Sequence, residues 1–512
     1  MTELLVGVDL GTTGTKTAVY DPDGKPLVEA NAEVPLRWQG PGRVDQDPDD
    51  FYRSTVSTIS RCLEQGGVDA EQVVALGITG QMAGVLGLGA DWKPSTPYDS
   101  WLDLRCSEDV DWLERELGDD FVEKTGCPPM IDHAPKMRWW RREHPEVFAT
   151  TEKWIMPSGY VAGKIAGLEP DDGFIDSTYL HFTGLTEARR GAWSGELAQA
   201  IGIPMDKLPK IFEPSTVIGR VSEEAAADCG LMEGTPIAAG LGDTAAGALG
   251  AGLVRSGQLL DVAGTAAVLA ASADEFRPDV SSRTLIAMRG AIPGQWIPLS
   301  YLSGGSLLGW LGEALALAGE EVYEPDFDEL TAEASEVRAG AEGLLFVPHL
   351  DGRLLPNDPA MRGAWVGLNR HHKCPHLVRA VLEGVAFEYA NYLQVLLKLY
   401  PRLTFDETRV IGGGAHSDTW NGIKASVLGV PYVRLNREEF SCWGAALVAG
   451  HAVGLFDDLA GAAESSTLMR DRFEPASEDH TAYRPMAQLY RDLLATLASP
   501  SHRLVRLASE ML

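Results

Sequence analysis

Leu4-Leu5-Val6-Gly7-Val8-Asp9-Leu10-Gly11-Thr12-Thr13-Gly14-Thr15-Lys16-Thr17-Ala18-Val19-Tyr20 reads as a strand, a polar turn and a returning strand. Leu4 to Val8 is an apolar run of buried-strand type, and Thr17 to Tyr20 is its return partner. Gly11 and Gly14 allow close approach of backbone to a ligand and leave N–H groups free. Thr12, Thr13, Thr15 and Lys16 add hydroxyl and ammonium donors, a set that suits phosphate oxygens. Asp9 ends the strand, where one carboxylate could hold a hydrated magnesium ion beside those phosphates. A tight hairpin with no ligand is the competing reading of the same residues.

Composition narrows the classes. A chain of 512 residues exceeds one compact core and implies at least two domains. Hydrophobic residues make up 45% and charged residues 23%, ordinary values for a globular enzyme. Against 43 basic side chains stand 73 acidic ones, a net charge of −30, which disfavours nucleic acid and anionic membrane as partners. The six cysteines are scattered without a C-x-x-C pair, which suggests reduced thiols, no zinc and a cytoplasmic protein. No apolar run reaches the ~18 residues of a membrane span. A homodimer stays open.

Further along, Pro26 to Val34 supplies a third strand, and Asp49 or Asp50 is the expected N-cap of a helix through Phe51, Val56 and Ile59. Val73 to Thr79 is a continuous apolar strand running into Gly80-Gln81-Met82-Ala83-Gly84, and ligands gather at such strand ends. Trp101, Asp103 and Arg105 combine a flat apolar wall with bidentate polar groups, as a sugar requires. Asp176 sits in a polar stretch where it could reach a sugar or cap a helix. At Gly240-Leu241-Gly242-Asp243-Thr244 a short strand breaks, presents one carboxylate and enters a small-residue helix with a positive N-terminus. Gln258 to Leu269 then repeats strand, turn and strand, with Gly264-Thr265 at the turn, so two similar lobes are expected to face each other. Ser303-Gly304-Gly305-Ser306 opens an amphipathic helix, and Gly412-Gly413-Gly414-Ala415 links a strand to a helix start. His371, His372 and His376 read as a solvated loop rather than a metal site.

The first turn follows neither the dinucleotide nor the P-loop pattern. It resembles D-x-G-T-T/S-x-x-K, the first phosphate motif of the actin, Hsp70 and sugar kinase superfamily. Gly80 to Gly84, the W-x-D-x-R of Trp101 to Arg105, the segment around Asp243 and the G-G-G-A-x-S-x-x-W of Gly412 to Trp420 resemble the FGGY carbohydrate kinases, xylulose kinases most. That resemblance implies two α/β lobes of actin-like (ribonuclease H-like) type with a cleft between them. It implies a sugar-binding lobe over 1–250 and a nucleotide-binding lobe over 251–512. The implied reaction is phosphorylation of a sugar hydroxyl, D-xylulose or another ketopentose, by ATP and Mg2+. Asp243 would be the general base and, with Asp9, a magnesium ligand. Gln81, Met82, Trp101, Asp103, Arg105, Asp176 and Thr244 would bind sugar. Gly11, Thr12, Thr13, Lys16, Gly264, Thr265, Gly305, Gly413, Gly414 and Ala415 would bind nucleotide. Ala83, Gly159 and Thr244 depart from the xylulose kinase pattern, all on the sugar side. Ribulose, L-xylulose, a pentitol or erythritol are therefore alternative acceptors. An ATP-dependent scaffold on the same fold explains the phosphate turns but leaves Gln81, Trp101 and Asp243 without a role.

Overall fold

The structure is a computed structural model that describes residues 3–264, 266–304, 306–315 and 327–511. The expectations placed on Thr265 and Gly305 lie outside the described residues. Two seven-stranded sheets share one plan. In the first, β1 (Leu4–Leu10), β2 (Gly14–Tyr20) and β3 (Pro26–Glu33) make an antiparallel meander. On the other side of β1, β4 (Val73–Gly80) runs parallel to it. The sheet continues with β5 (Val217–Arg220) and β6 (Pro236–Ala238), while β7 (Leu241–Gly242) pairs with the end of β4.

The second sheet holds β8 (Leu259–Ala263), β9 (Ala266–Ala271), β10 (Ile286–Arg289), β11 (Trp296–Ser303), β12 (Thr408–Ile411), β13 (Tyr432–Leu435) and β14 (Met469–Phe473). Here β8 has an antiparallel partner in β9 and a parallel one in β12, as β1 has in β2 and β4. The half-length recurrence in the sequence is therefore a recurrence of topology. β14 gave no strand signal in the sequence. Met469-Arg470-Asp471-Arg472-Phe473 is an edge strand whose charged side chains conceal its period, which is how natural sheets blunt an edge.

The helices that matter for the site are α1 (Pro48–Gly66), α2 (His133–Glu143), α3 (Asp243–Gly250), α4 (Cys374–Leu399), α5 (Asp418–Leu428), α6 (Ser441–Ala452) and α7 (Ser477–Met511). The N-cap of α1 is Asp47, not Asp49 or Asp50: Asp47 Oδ1 accepts from the Asp49 N–H at 3.1 Å, with Pro48 inside the first turn. Proline at that position has no N–H to leave unpaired, so the helix starts one residue before the acidic pair. The small-residue helix expected after Asp243 is α3, and it stops at Gly250.

Alternation along the strands sorts the core into layers. Leu4, Val6, Val8 and Leu10 of β1 join α1 residues Phe51 and Ile59 in an outer core, whereas Leu5 points inward. In the second sheet Leu259 and Ala263 face an outer core with α4 and α5, and Leu260 points inward. The inner layer between the sheets holds α3 and α6. There the backbones touch. A Cβ on Gly7 would lie 1.9 Å from the Cys442 carbonyl oxygen, and one on Gly77 2.0 Å from that of Ala445. A Cβ on Gly444 would meet the Ala246 oxygen at 2.1 Å, and one on Gly250 the Phe440 oxygen at 2.1 Å. Helix α6 thus lies directly on β1 and β4 of the opposite half, and α3 lies against α6.

One offset separates the two halves. Asp9 stands two residues before Gly11, but Asp261 stands three before Gly264. A one-residue slip turns a side chain to the other face of a sheet. Accordingly Asp261 is fully buried on the outer face, bonded to the Lys424 ammonium and the Tyr389 hydroxyl, and is no counterpart of Asp9.

Because the α6 contact is made by backbone atoms that cannot rotate away, Gly444→Ala should destabilise the protein by roughly 1–3 kcal/mol. A melting temperature within 1 °C of the parent would show that the seam yields more easily than its geometry indicates.

Candidate active site

The β1–β2 turn opens into a cavity of about 470 Å³ lined by Asp9, Gly11, Thr12, Thr13, Lys16 and the facing strand residues Asn31 to Glu33. The turn is closed by the Gly11 N–H, which donates to the Gly14 carbonyl at 2.9 Å, so that amide is already taken. The amides of Thr12 and Thr13 keep no backbone partner among the described residues and stay available to an anion. Lys16 reaches across to Glu439 at 2.9 Å, joining the first half of the chain to the segment just before α6.

Asp9 lines the same cavity, and its Oδ1 is enclosed with no partner among the described residues. Burial, then the negative charges of Glu439 and Asp243, push its carboxyl up to about 8, against the pull of Lys16. A carboxylate crowded by two others and short of a partner is suited to a hydrated divalent cation, which supplies the missing positive charge.

Asp243 is the first residue of α3 and follows directly on β7. Its Oδ1 accepts from the Thr244 amide at 2.5 Å and the Thr244 hydroxyl at 3.1 Å, which leaves Oδ2 without a protein partner among the described residues. Burial raises its pKa to about 6, and the Thr244 contacts work against that rise. Thr244 thereby fixes the rotamer of the acid.

Gln81 follows β4 and is buried, and its Nε2 donates to Gln46 Oε1 at 3.0 Å and weakly to the Gly11 carbonyl at 3.4 Å. Its Oε1 has no partner among the described residues. Gln46 in turn donates to the Thr12 carbonyl at 3.0 Å. Met82 is buried, and a Cβ on Gly242 would touch its sulfur and methyl group, so it walls the site beside Asp243.

Trp101 is 45% exposed, and its indole N–H donates to Thr12 Oγ1 at 3.0 Å. Asp103 and Arg105, expected to stand free for hydroxyls, are occupied within the protein. Asp103 Oδ2 accepts from the Val44 N–H at 2.7 Å, and both Asp103 oxygens accept from Arg105 Nε. Arg105 also holds Asp99 at 2.6 Å and lies 4.7 Å over the Trp139 ring. Together they brace the loop that presents Trp101. Of the two expectations for Asp176 the capping one holds: it is buried and caps the short turn Ser177–Phe182, accepting from the Thr178 amide at 2.8 Å and hydroxyl at 2.5 Å. The Thr178 hydroxyl oxygen accepts from the Gly242 amide at 2.9 Å, so Asp176 supports the approach to Asp243 through one intermediate residue.

On the far side, Gly264 ends β8 and Gly413-Gly414-Ala415 form the turn after β12, leading into α5, whose N-cap is Ser417. Space around Gly413 is open, while Ala415 is buried and its carbonyl accepts from Asn421 at 2.8 Å. His372 and His376 accept from the Asn369 and Lys373 amides, as capping groups do. Among the described residues no three His, Cys, Asp or Glu side chains gather as a metal cluster. None of the described helices is long and apolar enough to cross a membrane.

Sequence reasoning missed Gln46, Glu439 and a buried group made of Asp132, His133 and His181. Gln46 lies in the Val44-Asp45-Gln46-Asp47-Pro48 segment, and its polar run was legible as a helix entry only. The others carry no local signal, since their placement depends on which segments pack together.

Comparison with known proteins identifies the family. The N-terminal domain model of the FGGY family of carbohydrate kinases matches residues 4–250, and the C-terminal domain model matches 262–453. Xylulose kinase of Bacillus subtilis is 27% identical over 494 residues, covering 96% of each chain. Gluconokinase of Bacillus licheniformis is also 27% identical, over 97% of this chain and 96% of its own. The crystal structure of xylulose kinase from Rhodospirillum rubrum superposes with a TM-score of 0.88 at 26% identity, over 98% of this chain and all of that one. With both family domains matched in order over two actin-like lobes, the chain belongs to the FGGY family and is an ATP-dependent carbohydrate kinase.

Proposed function

We propose that the acceptor is a neutral ketopentose or closely related polyol, with D-xylulose first among them, and that Asp243 removes the proton from its reacting hydroxyl. The carrying observation is the Asp243 carboxylate itself. It is held by Thr244 through one oxygen, free at the other, and near enough to Asp9 for their charges to interact. As the hydroxyl oxygen bonds to the γ-phosphorus, the bond from that phosphorus to the bridging oxygen of ADP breaks and the proton passes to Asp243 Oδ2. Asp9 would hold a magnesium ion, with Asp243 beside it, and that ion would supply positive charge to the phosphate oxygens. The Thr12 and Thr13 amides and hydroxyls hold the phosphates, and Gly413 and Gly414 lie against the adenosine. The first lobe takes the sugar and the second most of the nucleotide.

A neutral acceptor is favoured over a sugar acid by the cations of the wall. Arg105 is paired with Asp99 and Asp103, and Lys136 donates to the Ser100 and Asp103 carbonyls at 2.9 and 3.1 Å. Neither is free to meet a carboxylate. Gluconokinases among the relatives make this a discriminating question. A coupled ADP-release screen over D- and L-xylulose, D- and L-ribulose, xylitol, erythritol, gluconate and glycerol should give its highest kcat/KM for a ketopentose or pentitol. A preference for gluconate or glycerol would overturn the assignment. Asp243→Asn should lower acceptor-dependent turnover about a hundredfold or more while ATP binding, measured by calorimetry, changes little. Near-normal turnover would remove Asp243 from the reaction.

The ties to the phosphate turn suggest coupling between the two substrates. Gln81, Gln46 and Trp101 come from the acceptor side, yet each donates to Gly11 or Thr12 or to a residue that does. Trp101→Phe keeps an aromatic wall and deletes one hydrogen bond of about 1 kcal/mol. It should raise the KM for ATP about fivefold and change the acceptor KM less. An unchanged ATP KM would show that the indole does not position the turn.

A further inference from the structure

We infer that Asp132, His133 and His181 form a distal subsite that reads the hydroxyls at the end of the acceptor away from the phosphorylated carbon. The inference rests on the kinase reading above and extends it to residues outside the motifs. All three side chains are buried, with relative exposures of 0%, 1% and 2%. Both Asp132 oxygens, His133 Nε2 and both His181 ring nitrogens have no hydrogen-bond partner among the described residues. Buried polar atoms are satisfied by protein, by ordered water or by a ligand, and here protein supplies none.

Placement selects the ligand. Asp132 and His133 open α2, and one turn further on Lys136 of the same helix bonds to the carbonyls of Ser100 and Asp103, the residues bracketing Trp101. His181 belongs to the turn Ser177–Phe182, whose Thr178 hydroxyl holds the Gly242 amide next to Asp243. The cluster is therefore fixed on one side to the loop bearing the aromatic wall and on the other to the approach of the proposed base.

Its chemistry is that of neutral groups. Burial, then the facing His181 and Lys136, hold His133 down at about 3, and burial holds His181 at about 3 against the nearby Thr178 backbone, which stays outside hydrogen-bond geometry. Burial drives Asp132 well above the usual carboxylate range, against Lys136. Two neutral imidazoles and a carboxyl whose charged form burial penalises offer donors and acceptors together, which matches hydroxyl groups and offers no positive counter-charge to a carboxylate. A site built to pair hydroxyls discriminates strongly against analogues that lack them.

The test compares the best neutral acceptor with its deoxy analogue lacking the hydroxyl farthest from the phosphorylated carbon, in the parent, Asp132→Asn and His181→Asn enzymes. In the parent, loss of that hydroxyl should lower kcat/KM at least thirtyfold. In each variant the intact acceptor should fall tenfold or more, the deoxy analogue should change less than twofold, and the KM for ATP should hold. Equal losses for both acceptors would make the cluster a structural element only, and no loss for either would make it a water-filled pocket in the core. Either result overturns the subsite. If the parent phosphorylates no neutral ketose or polyol, the neutral-acceptor reading on which the subsite rests fails before any variant is made, so the two failures are separable.

Discussion

The contact of α6 with β1 and β4 is the constraint on which the rest depends. It is made by backbone against backbone, at Gly7 beneath Cys442, Gly77 beneath Ala445 and Gly444 beneath Ala246. No side chain intervenes to act as a cushion, so the helix from the second half has one seating on the first sheet. Arg409 of β12 completes the frame by donating to the carbonyls of Ala251 and Gly252 just beyond α3, which anchors that helix on the other half. Two exchanged helices therefore hold the lobes together at the base. The cavity at the β1–β2 turn and the turn after β12 are left on the open side, where Lys16 and Glu439 make a further link between the halves.

Within this frame the polar groups divide by whether they have partners. Asp103, Arg105, Lys136 and Asp176 are buried or nearly so and fully engaged, and they hold loops in place. Asp9 Oδ1, Asp243 Oδ2 and Gln81 Oε1 lack protein partners among the described residues; Asp9 lines the cavity, Asp243 is near enough to interact with its charge, and Gln81 donates to the Gly11 carbonyl of the same turn. Unpaired acceptors are costly in a core and useful in a reaction site, because a substrate or cation restores what folding withheld. The division separates presentation from chemistry more sharply than residue type does.

Much of this was legible in the sequence because the signals were local. An apolar run ending in Asp9 and a Gly-Thr turn gives β1 and β2 directly, and its recurrence at Gln258 to Leu269 gives the second half. Asp243 and the Gly412 turn were found where a strand end meets a helix start, and Trp101 by its place beside Asp103 and Arg105. What failed was whatever depended on partners distant in the chain. Nothing near Asp103 announces that the Val44 amide will occupy it, and nothing near Asp176 decides between reaching a sugar and capping a turn, because its burial is imposed by the fold around it. Edge strand β14 was hidden by its charges, and the group of Asp132, His133 and His181 by the 47 residues between its two segments.

The offset between Asp9 and Asp261 has a further consequence. A fold assembled from two equivalent halves tends toward a symmetric cleft, and a symmetric cleft cannot tell a donor from an acceptor. Shifting one carboxylate by a single position in its strand breaks that equivalence without altering the topology. One acid is left at the mouth, and its twin is locked beneath the opposite sheet against Lys424 and Tyr389. Duplication supplied the enclosure, and one residue of phase gave it a direction.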